Sequence, residues 1–269
     1  IDFEGTGDKI MAILGHLDVV PAGSGWSSEP YGGEIRDGRL YGRGSADDKG
    51  PVISCLYAMK ALKDAGYKPK ATIRLILGLD EETNWKGIKY YFSKEKFPDW
   101  GFTPDADFPL INGEKGVLVF SLAKKFTPTR SEGLELRSLK GGTAPNSVPD
   151  SCRVVVNSPK TEKYDEIKDK IVQYRERTGH KLNFRGMGKS LEITASGKAA
   201  HGAHPEKGLN AVSVMMDFLG ELNFVSEDVN DFISFYNKYI GFCLDGEDMG
   251  IGLSDEKSGK LIFNLGIAE

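Results

Sequence analysis

Three acids in a row, Asp80, Glu81 and Glu82, follow an apolar run in "LILGLDEETNWKG". Three other stretches carry groups of the same kind: His16 and Asp18 in "GHLDVVP", Asp47 and Asp48 in "GRGSADDKGP", and Asp105 and Asp107 in "FTPDADFPL". Gathered in one place, carboxylates repel: two charges 4 Å apart cost about 4 kcal/mol at an effective dielectric of 20. A bound divalent ion removes that cost, and imidazole mixed with carboxylates suits zinc, manganese or cobalt better than calcium. Spacing within each motif divides the labour. In an extended His-Leu-Asp the first and third residues point the same way, so Asp18 can lie against the His16 ring and fix its tautomer. Neighbours diverge instead, so Glu82 can ligate while Glu81 faces the open side as a general base.

Separate stretches need elements to bring them together. "KIMAILGH" predicts a buried strand ending on His16, and "ATIRLILGL" a second strand ending just before the three acids. "EIRDGRLYG" predicts a hairpin whose Asp37-Gly38 pair suits a type I′ turn. A helix follows, with Pro51 in its first turn, a stripe of Ile53, Leu56, Met59 and Leu62, and Gly66 to end it. Thr83 is placed to cap another helix through "NWKGIKYYFSK". Alternating strands and helices imply a parallel or mixed sheet covered on both faces, whose strand C-termini collect at one crevice. Beyond about residue 114 the pattern turns to strand runs, "GVLVFSLAKKF", "LELRSL", "SCRVVVN", "LEITASG" and "LIFNLGI", separated by helices over "TEKYDEIKDKIVQYRERTG" and "GLNAVSVMMDFLGEL". The expected organisation is an α/β domain with a central mixed sheet over residues 1–113 and an α+β domain over 114–269.

Composition narrows the function further. A hydrophobic share of 39%, a charged share of 28% and a net charge of -4 describe a soluble globular chain. There is no run long enough to span a membrane and no basic field for nucleic acid. Cys55, Cys152 and Cys243 are too few and too scattered for a disulfide framework and point to a reducing, cytoplasmic setting. "GRGSADDKG" lacks the spacing of a phosphate-binding loop.

The motifs "GHLDVVP", "YGRGSADDKGP", "DEET", "FTPDADFPLINGEKG" and "AAHGAHPEKGLNA" together resemble those of the M20 family of metallopeptidases, in its order. Within it they look like the bacterial PepV-like dipeptidases and their carnosinase relatives. The resemblance runs along nearly the whole chain. It implies a catalytic domain bearing two divalent ions, zinc first with manganese or cobalt as alternatives, and a lid domain. It implies His16 and Asp105 as ligands of one ion, Asp47 as the carboxylate bridging both, and Glu82 as a ligand of the other, with Asp107 the rival of Asp105. Glu81 would be the base acting on a metal-bridging water, and Asp18 the orienting acid. A cis peptide would follow the bridging acid, at Asp47–Asp48. In the lid, His201 would donate to the oxyanion and Asn210 would lie near the substrate. His204 is a weaker candidate, and His180 has no motif around it.

The implied substrate is a dipeptide, with an N-acyl amino acid as the alternative; the implied assembly is a monomer or a homodimer through the lid. Two features depart from the family pattern. Its second ion takes a histidine from far downstream and its lid an arginine beyond this chain's last strand, and neither is present. A start at Ile1 and an end on "KLIFNLGIAE" both read as cuts, as in a fragment. A catalytically silent metal-binding module is therefore the reading from a different class.

Overall fold

The computed structural model describes residues 1–23, 25–106, 109–127 and 132–269. They form two compact units, Ile1–Asn112 and Gly113–Glu269.

The first unit runs β1 (Asp2–Phe3), β2 (Ile10–His16), β3 (Glu34–Arg36), β4 (Arg39–Tyr41), α1 (Lys49–Asp64), β5 (Thr72–Gly78), α2 (Lys86–Phe92) and β6 (Trp100–Phe102). Its main sheet has the order β1-β5-β2-β6, mixed because β1 is antiparallel to β5 while β5, β2 and β6 run parallel. Alternation sends Met11, Ile13, Ile73, Leu75 and Leu77 to one face, where they pack under Cys55, Leu56 and Met59 of α1. Burying a side chain such as Leu75 stabilises by about 1.5–3 kcal/mol. The α1 stripe differs from the expected one: Val52 and Met59 are buried, whereas Ile53 is 50% and Leu62 40% exposed. Steps of three residues drift about 60° per step around a helix, so only the i, i+3, i+4, i+7 set can face one plane.

On the opposite face Arg74 donates to the Tyr91 hydroxyl of α2 at 3.4 Å and pairs with Asp2 at 2.8 Å. Gly66, at φ 75°, ends α1: its N–H goes to Lys63 O and that of Tyr67 to Leu62 O. The β3–β4 turn has positive φ at both Asp37 (52°) and Gly38 (71°), as a type I′ turn demands. His16 pairs with Gly78 at the end of the β2–β5 ladder, so both strands stop level. The residues after β2, β5 and β6 therefore leave from one edge.

The second unit continues with β7 (Glu135–Gly141), β8 (Ser151–Asn157), α3 (Glu162–Thr178), β9 (Lys181–Met187), β10 (Ser190–Ser196), α4 (Ala211–Leu219) and α5 (Glu227–Tyr239). An antiparallel sheet of order β7-β8-β10-β9 turns Cys152, Val154, Val156, Leu191, Ile193 and Ala195 toward the helices. α4 is apolar on nearly every side, and all its residues but Asp217 are buried. On the open face the nearly buried Glu192 pairs with Arg153 and Arg185.

Two strand expectations fail here. Residues 113–127 of "GVLVFSLAKKF" and its flanks form no strand, with Val117 at 86% and Leu118 at 82% exposure. Strand propensity needs a partner edge, and that segment has none among the described residues. "LIFNLGI" is a strap instead of a strand: Ala268 bridges Gly141, and Asn264 Nδ2 donates to the carbonyls of Pro145 (3.2 Å) and Ser147 (3.0 Å). Among the described residues no helix is long and apolar enough to cross a membrane.

Candidate functional site

His16, the last residue of β2, is 1% exposed and has its ring held from one side. Nδ1 lies 2.9 Å from the Asp18 carbonyl, which can only accept, so Nδ1 carries the proton and the Nε2 lone pair faces outward in the neutral ring. Facing Nε2 are Asp47 Oδ1 at 3.0 Å and Asp105 Oδ2 at 3.4 Å. Ligand atoms of His16, Asp47 and Glu82 lie within 4.8 Å of one another, and so do those of His16, Asp48 and Asp105. The first unit thus brings Asp47, Glu82 and Asp105 around His16, with the Asp47–Asp48 peptide in the cis form. Asp107 lies outside the described residues.

Asp18 places its carboxylate 3.4 Å from His16 Nδ1, against the ring as expected, and has a second job as well. Its main chain, rather than its carboxylate, gives the shorter contact to the His16 ring; the carboxylate oxygens accept the N–H groups of Glu81 at 3.2 Å and Glu82 at 3.1 Å. Asp80 grips the same turn from the other end, both oxygens accepting from Gly87 N at 3.1 and 3.0 Å. This displaces the expected cap: the Thr83 hydroxyl donates to Asp80 O, and α2 starts only at Lys86. A carboxylate outcompetes a hydroxyl for a helix-start N–H. Asp80→Ala is expected to lower stability by about 1 kcal/mol, as loss of a capping acid does, read by denaturant melts. An unchanged midpoint would remove Asp80 from that role.

The electrostatics of the cluster call for a cation. Burial raises the pKa of Asp48, Glu81, Glu82 and Asp105, and the neighbouring acids add to the rise, Asp47 among them in each case. Burial alone would pull His16 down, but Asp105, the Asp18 carbonyl, Asp47 and Glu81 outweigh it and its pKa is raised. Among the described residues the ion pairs of these acids go to His16 alone. Asp48 is 0% exposed, and its Oδ1 has no hydrogen-bond partner among the described residues. Raised carboxylates, an outward imidazole lone pair and a buried oxygen without a donor suit a divalent ion held by nitrogen and oxygen. The sequence pattern does not single out Asp48. Its only signal is the doublet, whose neighbouring side chains diverge, one toward the crevice and one into the core.

In the second unit His201 sits in a bridge with Ser147, and its Nδ1 accepts from Ala203 N at 3.1 Å, so a neutral ring carries its proton on Nε2. The loop is tied down by Gly202 N donating to Asn146 O at 2.7 Å and Val148 N to Ala200 O at 2.9 Å. Asn210 caps α4, its Oδ1 accepting from Val212 N at 2.9 Å while its Nδ2 donates to Leu265 O at 2.9 Å. That amide is committed to structure on both sides. His204 lies 3.4 Å from Glu206 on the surface, and His180 stacks on Phe242 at 5.7 Å between ring centroids.

Comparison with known proteins adds an independent finding. The sequence profile described as "Peptidase family M20/M25/M40" matches residues 12–229. A protein of Lactobacillus delbrueckii subsp. lactis named "Beta-Ala-Xaa dipeptidase" is 39% identical over 96% of this chain and 54% of its own length. A Bacillus subtilis (strain 168) protein named "Putative dipeptidase YtjP" is 35% identical over 97% of this chain and 56% of its own. The chain spans about half the length of these curated relatives.

Proposed function

Because the chain belongs to peptidase family M20/M25/M40, we propose that its first unit carries the metal centre of a hydrolase that cleaves dipeptides. The observation that carries this is the meeting of the His16 Nε2 lone pair with Asp47, Glu82 and Asp105 at one sheet edge, among acids that pair with no cation but His16 among the described residues. His16, Asp47, Glu82 and Asp105 are the proposed holders of divalent metal, zinc first and manganese or cobalt next, with Asp47 shared between two ions. Bound there, the metal would lower the pKa of water toward ~7 and polarise a peptide carbonyl.

The chain's own groups supply the rest. Glu81, whose carboxyl burial raises above its ordinary value, is the proposed base: it takes a proton from the attacking water and returns it to the leaving amine. Asp18 fixes the turn that presents Glu81 and Glu82. His201, whose Nδ1 accepts from Ala203 N, is the proposed partner of the developing oxyanion through Nε2. Asn210 is proposed to lie near the substrate, with its own amide holding the start of α4 and the Leu265 carbonyl.

The dipeptide class is supported by what the relatives are named for, and the β-alanyl dipeptides of the Lactobacillus protein are the first to try. The test is a panel of dipeptides, β-Ala-Xaa members included, beside N-acyl amino acids, with the protein at its full natural length, supplied with zinc or manganese and then stripped by chelator. Hydrolysis of dipeptides that stops on chelation and returns with metal is the expected result. Cleavage of acyl amino acids alone, or of nothing when metal is bound, would overturn the reading.

A further inference from the structure

Asp47 and Asp48 are neighbours with opposite surroundings. The Asp47 side chain is 59% exposed and meets the His16 ring, whereas Asp48 is 0% exposed and meets the His16 main chain, Oδ2 accepting from His16 N at 3.2 Å. A buried carboxylate with a single hydrogen bond among the described residues is expensive to keep, which points to a constraint that it satisfies. The packing shows which. Asp48 is the N-cap position of α1, its carbonyl accepts the Val52 N–H at 3.0 Å, and Val52 is itself 2% exposed. Opposite them stands Gly15, where an added Cβ would lie 2.4 Å from Val52 Cγ2 and 2.6 Å from Asp48 Oδ2. Only a residue without a side chain lets the end of β2 come this close to the start of α1.

We propose that Asp48 is a positioning residue that locks Gly15–His16 of β2 to the first turn of α1 and thereby sets the distance between His16 and Asp47. The bond from Asp48 fixes the main chain of His16 to the same two-residue stretch that bears Asp47. The 3.0 Å approach of His16 Nε2 to Asp47 Oδ1 then follows from anchored backbones and not from free rotamers alone. This rests on the metal-centre reading above. An Asp48 oxygen also lies within ligand reach of His16 and Asp105, so direct ligation is the rival that the experiment must separate.

The test is calorimetric titration of the 269-residue chain with zinc chloride, with circular dichroism to show that each variant is folded. Asp48→Ala is expected to weaken zinc binding about 10- to 100-fold, while Asp48→Asn, which keeps an oxygen for the His16 N–H, stays within about threefold of the parent. Gly15→Ala keeps every ligand but displaces the Asp48 carboxylate, and it should weaken zinc as Asp48→Ala does. Parent-like affinity in folded Asp48→Ala overturns the proposal. Asp48→Asn as weak as Asp48→Ala assigns Asp48 as a ligand and overturns it too. If Asp48→Ala does not fold, Asp48→Asn and Gly15→Ala decide by the same criteria. A parent chain that takes up no zinc removes the metal-centre reading and this proposal together; normal uptake unaffected by the variants removes only this one.

Discussion

Asp47→Ala is expected to weaken zinc uptake by more than about a hundredfold, beyond what loss of an outer hydrogen-bond partner costs, while leaving the metal-free protein at least as stable as before. The two halves of this result have one cause. Asp47 Oδ1 stands 3.0 Å from His16 Nε2 and within ligand reach of Glu82, so it is the acid through which the proposed holders are connected. Without metal, the same charge helps to raise the pKa of Glu82 and Asp105, which means that it opposes their ionised forms. Its side chain is 59% exposed, so truncation opens no cavity. The parent should gain about 2.7 kcal/mol from zinc at a hundred times Kd, and the variant almost nothing. Calorimetry and paired melts with and without zinc measure both. Undisturbed uptake would refute the role of Asp47, and a metal-free variant less stable than the parent would refute the repulsion argument.

What the residue pattern made legible was whatever depended on near neighbours. The β3–β4 turn, the end of α1 at Gly66 and the strand "SCRVVVN" could be read because turn chemistry and alternation are properties of adjacent residues. The convergence of His16, Asp47, Glu82 and Asp105 was legible for another reason: parallel strands place their C-terminal ends at one edge, so position in sequence fixes position in space. Residues 113–127 and the strap after Leu261 were not legible, since a strand exists only where a partner edge meets it. Division of labour inside the site was hidden too. That Asp18 grips two amides, that Asp80 displaces Thr83 and that Asp48 is buried are all long-range matters of which group reaches a donor first.

Glu81→Gln is expected to lower kcat by about a thousandfold, within the 10²- to 10⁴-fold span of general acid–base catalysis and equivalent to about 4 kcal/mol, with metal content and KM nearly unchanged. The geometry makes the substitution a clean one. The Glu81 main chain is held by Asp18 Oδ1 at 3.2 Å, and the turn beyond it by Asp80 on Gly87, so an isosteric amide inherits the position and loses only the ability to take a proton. Burial, as the leading cause, raises the Glu81 carboxyl above its ordinary value, the direction that makes a carboxylate a stronger base. Glu82→Gln provides the contrast, because its oxygen belongs to the ligand group with His16 and Asp47: it should lose metal first and activity as a consequence. The measurement is steady-state kinetics on a cleaved dipeptide together with metal stoichiometry for both variants. A Glu81→Gln protein within tenfold of the parent would remove Glu81 as the base. If metal were lost from Glu81→Gln and kept by Glu82→Gln, the roles of the two acids would have to be exchanged, since the same turn, gripped at the same two points, presents both.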